Sequence, residues 1–201
     1  MSEPASLLDV VRRAVDDFRA IGARAALVGG LAVGVHVLER STRDADFAVA
    51  VTDDAEAERV TGELVARGYV VALVLEETAL GRLSTVRLVS PVDHRTMVDI
   101  LYASSGVEPE LVEAAMTMDV GRGVLAPVAH RGHLVALKLL SESERRPQDA
   151  GDLGALLTGI DDVELDRARA AIALIAGRGF ARGKDLPAQL AAHLLRWTDR
   201  R

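Results

Sequence analysis

Leu27-Val28-Gly29-Gly30 and, after a helical stretch, Arg40-Ser41-Thr42-Arg43-Asp44-Ala45-Asp46 are the segments from which the rest of the chain can be read. Ala25 to Val28 is a short apolar run closed by two glycines, a strand entering a tight turn. Leu31 to Leu38 then suits a buried helix. From Asp44 to Val51 polar or small residues alternate with apolar ones, the pattern of a half-buried strand. Residues two apart on a strand share a face and lie about 6.5–7 Å from each other. Asp44 and Asp46 are therefore expected to project side by side, while Phe47, Val49 and Val51 bury the opposite face. Two carboxylates so close repel unless a cation lies between them. Hard oxygen ligands of this kind suit Mg²⁺ or Mn²⁺ and not zinc.

A third acid stands in the strongly apolar run Thr96 to Tyr102, interrupted only by Asp99. Burying a lone carboxylate is costly unless it is paired, hydrogen-bonded or metal-bound. If that strand neighbours the one starting at Asp44, Asp99 completes a three-carboxylate site able to hold metal ions. Gly29-Gly30 belongs to the same purpose. Backbone N–H groups at the start of the helix can face an anion, and a residue without Cβ lets a phosphate come close.

The remaining elements follow from periodicity and stop signals. Residues 4–21 form an amphipathic helix, residues 53–67 a helix capped by Thr52 or Asp53 and stopped by Gly68. Strands are expected over 69–75, 82–89, 96–102 and 124–128, with a short helix over 108–115. Beyond His130 the reading is helical throughout: 133–144, 147–157, 163–176 and 186–197. This gives an α/β (α+β) fold in which a small mixed sheet is flanked by helices, with a core over 1–128 and a helical C-terminal part over 129–201.

Composition narrows the function. The 201 residues carry a formal net charge of −6, which disfavours a general nucleic-acid coat but leaves room for a local basic patch. There are no cysteines, so disulfides, thiolate zinc sites and a cysteine nucleophile are all excluded. No run is apolar enough to span a membrane, and the first residues lack a signal peptide's basic start and apolar stretch. A soluble, cytoplasmic protein is the expectation. Gly177 to Asp185 has the wrong glycine spacing for a phosphate loop and reads as a flexible basic connection between two helices.

The Gly29-Gly30 turn, the following helix, Arg40-x-Thr42-x-Asp44-x-Asp46 and the later strand residue Asp99 resemble the polymerase-β-type nucleotidyltransferase superfamily. Within it, Lys138 in a helix followed by Arg146-x-x-Asp149-x-x-Asp152-Leu153 is most similar to the AbiEii/MenT-type toxin nucleotidyltransferases. The resemblance covers roughly residues 25 to 157. It implies transfer of a nucleoside monophosphate from an NTP to an acceptor hydroxyl with release of pyrophosphate. It implies metal ligation by Asp44, Asp46 and Asp99, the last as ligand or general base. Nucleotide contacts would come from Gly29, Gly30, Arg40, Thr42, Lys138, Asp149 and Asp152. The acceptor would be tRNA or a protein, with an antitoxin as a possible partner. An antibiotic-like small molecule is the alternative acceptor, and a nucleotide-binding module without turnover the alternative function.

The same residues also admit plainer roles. Asp99 can pair with Arg87 or Arg95, and Lys138 can snorkel from an apolar helix. Asp149 and Asp152 share a helix face, from which either can salt-bridge Arg145, Arg146 or Lys138.

Overall fold

A computed structural model describes residues 6–37, 42–77, 81–143 and 147–198. The first half runs α1 (Leu7–Ala20), β1 (Ala25–Val28), α2 (Gly29–His36), β2 (Ala45–Val49), α3 (Asp54–Ala66), β3 (Val70–Glu77), β4 (Arg82–Val89) and β5 (Met97–Leu101). It continues with α4 (Glu108–Ala114), β6 (Met116–Asp119) and β7 (Leu125–Val128), then α5 (Arg131–Ser141), α6 (Pro147–Leu157), α7 (Asp162–Gly177) and α8 (Leu186–Thr198). Local chemistry sets several of these boundaries. Ser6 and Asp9 form a reciprocal capping box at the start of α1. Asp53 and Asp161 cap α3 and α7 by accepting from the backbone N–H of Glu56 and Glu164.

The seven strands form one mixed sheet in the order β3-β4-β5-β2-β1-β7-β6. The pairs β2–β5 and β1–β7 are parallel; the others are antiparallel. Phe47, on the face of β2 opposite Asp46, stacks against Phe18 of α1 with ring centres 5.2 Å apart. Burial on that face leaves the Asp46 face for other use. Strand β6 has no counterpart in the sequence reading. Its residues Met116 to Asp119 alternate apolar and polar, but over only four mostly exposed residues, too short a pattern to mark a strand before β7 pairs with it. Strand β3 was expected to end at Leu75 and extends to Glu77. It is the sheet's edge, and Val70, Val71, Leu73, Val74 and Leu75 all remain exposed on it.

Helix α5 packs on α6, α7 and α8 and also touches α2, so the helical segment leans on the element that follows β1. Buried apolar residues of both segments merge in one cluster, from Leu27, Phe47 and Ile100 in the sheet to Leu134, Leu139, Leu153 and Ile175 in the helices. The approach of α5 to α7 is close enough that a Cβ on Gly132 would overlap the Glu164 carbonyl oxygen. Among the described residues, no helix is long and apolar enough to cross a membrane.

The connection from Gly177 to Asp185, expected as flexible, is tied down at three places. Arg178 is held bidentately by Glu110 at 2.6 and 2.9 Å. Phe180 is buried. The Lys184 ammonium donates to the carbonyls of Leu139, Leu140 and Glu142 at 3.1, 2.8 and 2.6 Å, closing the C-terminal end of α5. The basic residues of this segment thus serve as anchors.

Substituting Gly132→Ala is expected to lower the unfolding free energy by about 1–3 kcal/mol through overpacking against backbone that cannot yield. Urea denaturation followed by circular dichroism measures this. An unchanged midpoint would mean that α5 and α7 separate freely.

Candidate active site

The site begins where β1 ends. Val28 precedes α2 in an extended conformation and offers no side-chain cap, so the first-turn N–H groups of α2 are left without one. Gly29 opens the helix at φ +65, and a Cβ there would overlap the Asp46 carboxylate. Gly29 is required on both counts: for the left-handed backbone and for the space that Asp46 occupies.

Strand register then carries the polar residues across the sheet. Val28 is opposite Asp46, Asp46 opposite Asp99, Asp99 opposite Arg87, and Arg87 opposite Leu73. Directly opposed residues share a face, so this row crosses five strands on one side of the sheet. A cleft of about 710 Å³ opens above it. The roof comes from α5 and α6, with Leu134, Leu137, Lys138 and Asp149 among its lining residues.

Most of the residues expected from sequence meet in this cleft. Gly29, Gly30, Thr42, Asp44, Asp46, Asp99, Lys138 and Asp149 all line it. Thr42 donates from its hydroxyl to the carbonyl of Asp44 at 3.4 Å. Asp152 reaches the cleft through Lys138, whose ammonium lies 2.8 Å from Asp149 Oδ1 and 2.8 Å from Asp152 Oδ2. Asp149 also accepts from the Ser141 hydroxyl at 3.0 Å. Arg40 falls outside the described residues.

Two features differ from a simple three-carboxylate centre. Both oxygens of Asp99 accept from Arg87, Nε at 2.7 Å and Nη2 at 2.6 Å, the fork geometry that a guanidinium makes with a carboxylate. Among the described residues, no three side chains of His, Cys, Asp or Glu converge as a metal-holding group. Of the cleft-lining carboxylates, Asp99 and Asp149 accept hydrogen bonds from described side chains, and Asp44 and Asp46 accept none from the described residues.

The electrostatics of Asp46 test whether a cation fits. Burial, then the charges of Asp99 and Asp44, push its carboxyl up to about 6, while Lys138 and Arg87 offset only part of this. Negative charge has accumulated here beyond what the chain's own cations neutralise. An all-oxygen donor set in that condition suits Mg²⁺ or Mn²⁺ held by Asp44 and Asp46, completed by water and substrate oxygens.

Several lining residues escaped the sequence reading as site residues: Arg87, Thr85, Ser104, Ser105 and Arg182. Arg182 donates to the Ser104 carbonyl at 2.7 Å, tying the segment after α7 to the loop after β5. Alternation along β4 marks Thr85 and Arg87 as facing away from buried Ser84, Val86 and Leu88. That signal was present, but it gives no indication of which strand lies alongside.

A carboxyl raised in the folded state opposes folding once ionised. Without metal, Asp46 therefore withdraws stability as pH rises from its ordinary value of 3.8 through about 6. Added Mg²⁺ is expected to raise the melting temperature at pH 8, with the gain fading below pH 6 as protons compete for Asp46. Thermal melts across this range check the trend, and Asp46→Asn should erase it. A gain independent of pH and retained in the variant would remove Asp46 from the metal site.

No protein-family model and no curated protein matches the chain by sequence. Its structure is similar to that of an antigenic nucleotidyltransferase-like protein from Paracoccidioides brasiliensis, at 16% identity and a TM-score of 0.51, over 94% of this chain and 91% of that one. It is also similar to the antibiotic-resistance factor ANT(2'')-Ia, at 11% identity and a TM-score of 0.50, over 96% and 94% of the two chains. At these identities the likeness is one of fold. The chain shares the mixed-sheet fold of these nucleotidyltransferase-like structures.

Proposed function

We propose that the protein is a Mg²⁺- or Mn²⁺-dependent nucleotidyltransferase that moves a nucleoside monophosphate from an NTP to an acceptor hydroxyl and releases pyrophosphate. The observation that carries this reading is the juxtaposition of the Gly29-led start of α2 with the Asp46 carboxylate, raised to about 6 beside Asp44. The uncapped N–H groups of α2 would bind triphosphate oxygens, with Thr42 beside Asp44 at the same end of the cleft. Asp44 and Asp46 would hold the divalent cation, which when bound supplies charge neutralisation on the phosphates. Asp99 would orient the acceptor hydroxyl or take its proton. Lys138, positioned by Asp149 and Asp152, would present its ammonium to charge developing on the leaving group.

For the acceptor, the AbiEii/MenT-type pattern of Lys138, Asp149 and Asp152 favours a toxin-like substrate, tRNA or protein, with an antitoxin as natural partner. The fold shared with an antibiotic-resistance factor keeps a small-molecule hydroxyl as the alternative. A second function is favoured by one observation. The Arg87–Asp99 pair withholds the third carboxylate, as expected of a nucleotide-binding module without turnover.

Each α-labelled NTP should be incubated with Mg²⁺ or Mn²⁺ and with total tRNA, protein and aminoglycoside acceptors. One acceptor is expected to take label with matching pyrophosphate release, and Asp46→Ala is expected to reduce the rate at least about a hundredfold. Metal-dependent nucleotide binding with no pyrophosphate from any combination would instead identify the non-catalytic module. Full activity in the variant would remove the metal assignment.

A further inference from the structure

The row across the sheet has a direction. Val28 and the start of α2 lie at one end, then Asp46, Asp99, Arg87 and Leu73 in turn. In phosphoryl and nucleotidyl transfer, the attacking and leaving oxygens stand roughly in line on opposite sides of the phosphorus. If the triphosphate leaves toward α2, the acceptor enters from the side of Asp99, and Arg87 is the cation beside Asp99 on that side. Beyond Arg87 the cleft wall is Leu73, Leu75, Thr85 and Leu101. This inference rests on the nucleotidyltransferase reading.

Arg87 is built to change partners. Its side chain is 40% accessible, whereas that of Asp99 is 12% accessible, so the guanidinium faces the cleft while the carboxylate stays behind it. Asp99, and after it the more distant Asp44 and Asp46, hold the guanidinium charged. The guanidinium half of the pair is open to the cleft, so an incoming anion can reach it without displacing packed side chains and can replace the contact that Asp99 gives up. The planar fork that grips Asp99 matches a phosphate or a second carboxylate equally well.

We propose that Arg87 is an exchangeable counter-ion at the acceptor end of the cleft: it masks Asp99 until an anionic group beside the acceptor hydroxyl, a phosphodiester or a carboxylate, draws it away. The exchange moves no covalent bond. It frees the oxygens of Asp99 for the cation or the hydroxyl only when an acceptor is seated. Arg87 thereby acts as a positioning residue, and the masked Asp99 would suppress wasteful attack by water on bound NTP.

Two binding measurements without turnover test this on the full chain. Mn²⁺ titration followed by electron paramagnetic resonance, in the absence of nucleotide, should show about tenfold tighter binding in Arg87→Met than in the unaltered protein. The double variant Arg87→Met/Asp99→Asn should lose that gain. For the acceptor side, the probes are an RNA dinucleoside monophosphate, its uncharged methylphosphonate analogue, and glycerate as a small hydroxy acid. Arg87→Met should weaken binding of the diester or the carboxylate about tenfold, Arg87→Lys should restore part of it, and Asp99→Asn should strengthen it by releasing the competitor. The methylphosphonate should be indifferent to all three. Whichever anionic probe shows this dependence names the source.

If Arg87→Met lowers the melting temperature yet alters neither Mn²⁺ nor probe affinity, the pair is a fixed strut and the inference falls, with nucleotidyl transfer untouched. If Arg87 governs both bindings while no NTP is ever turned over, the exchange stands and the enzymatic reading falls.

Discussion

The structure turns on two like charges placed opposite each other. Asp46 and Asp99 are register partners on the parallel strands β2 and β5, and Asp44 adds a third carboxylate at the mouth of the same strand. Such a grouping is unfavourable by itself, and the neighbouring elements answer it. Arg87 arrives from β4 on one side, while on the other Gly29 gives up its side chain so that Asp46 fits beneath the start of α2. What the chain does not neutralise is the charge that keeps the Asp46 carboxyl raised to about 6.

The helical segment extends the same logic. Lys138 is carried over the cleft by a helix whose other faces are buried, and its ammonium is fixed by Asp149 and Asp152 from the next helix. That position depends on distant packing. Gly132 lets α5 settle against α7, and Lys184 closes the end of α5 by donating to the carbonyls of Leu139, Leu140 and Glu142. Both Arg87 and Lys138, which line the cleft beside Asp99 and Asp46, are therefore held by carboxylates rather than free. Of the two pairs, Arg87–Asp99 is the more open to the cleft and Lys138–Asp149 the more buried.

Local signals were legible where they were short in range. Turn glycines after an apolar run, period-two alternation through Asp46, and the isolated acid in 96–102 each describe a few consecutive residues, and the elements formed there. Strand β6 was illegible because the alternation in Met116 to Asp119 spans only four mostly exposed residues, and β7 beside it supplies the pairing. The anchoring of Arg178 and Lys184 was equally hidden, since their partners lie 68 and 42–45 residues away. Lys138 and Asp149 were both picked out, but either could have paired with other charges nearby in sequence.

The sequence alone determined the order of helices and strands apart from β6, the Gly29–Gly30 turn, and the placing of Asp44 and Asp46 around the start of one strand, because backbone period and turn chemistry are local. Tertiary structure decided that β5 lies beside β2 and β4 beside β5. It thereby decided that Asp99 joins Asp46, that Arg87 claims Asp99, and that Lys138 looks down on them. The physical reason is that periodicity states which way a side chain faces, whereas the neighbour it faces is set by strand order and helix packing between residues far apart in the chain.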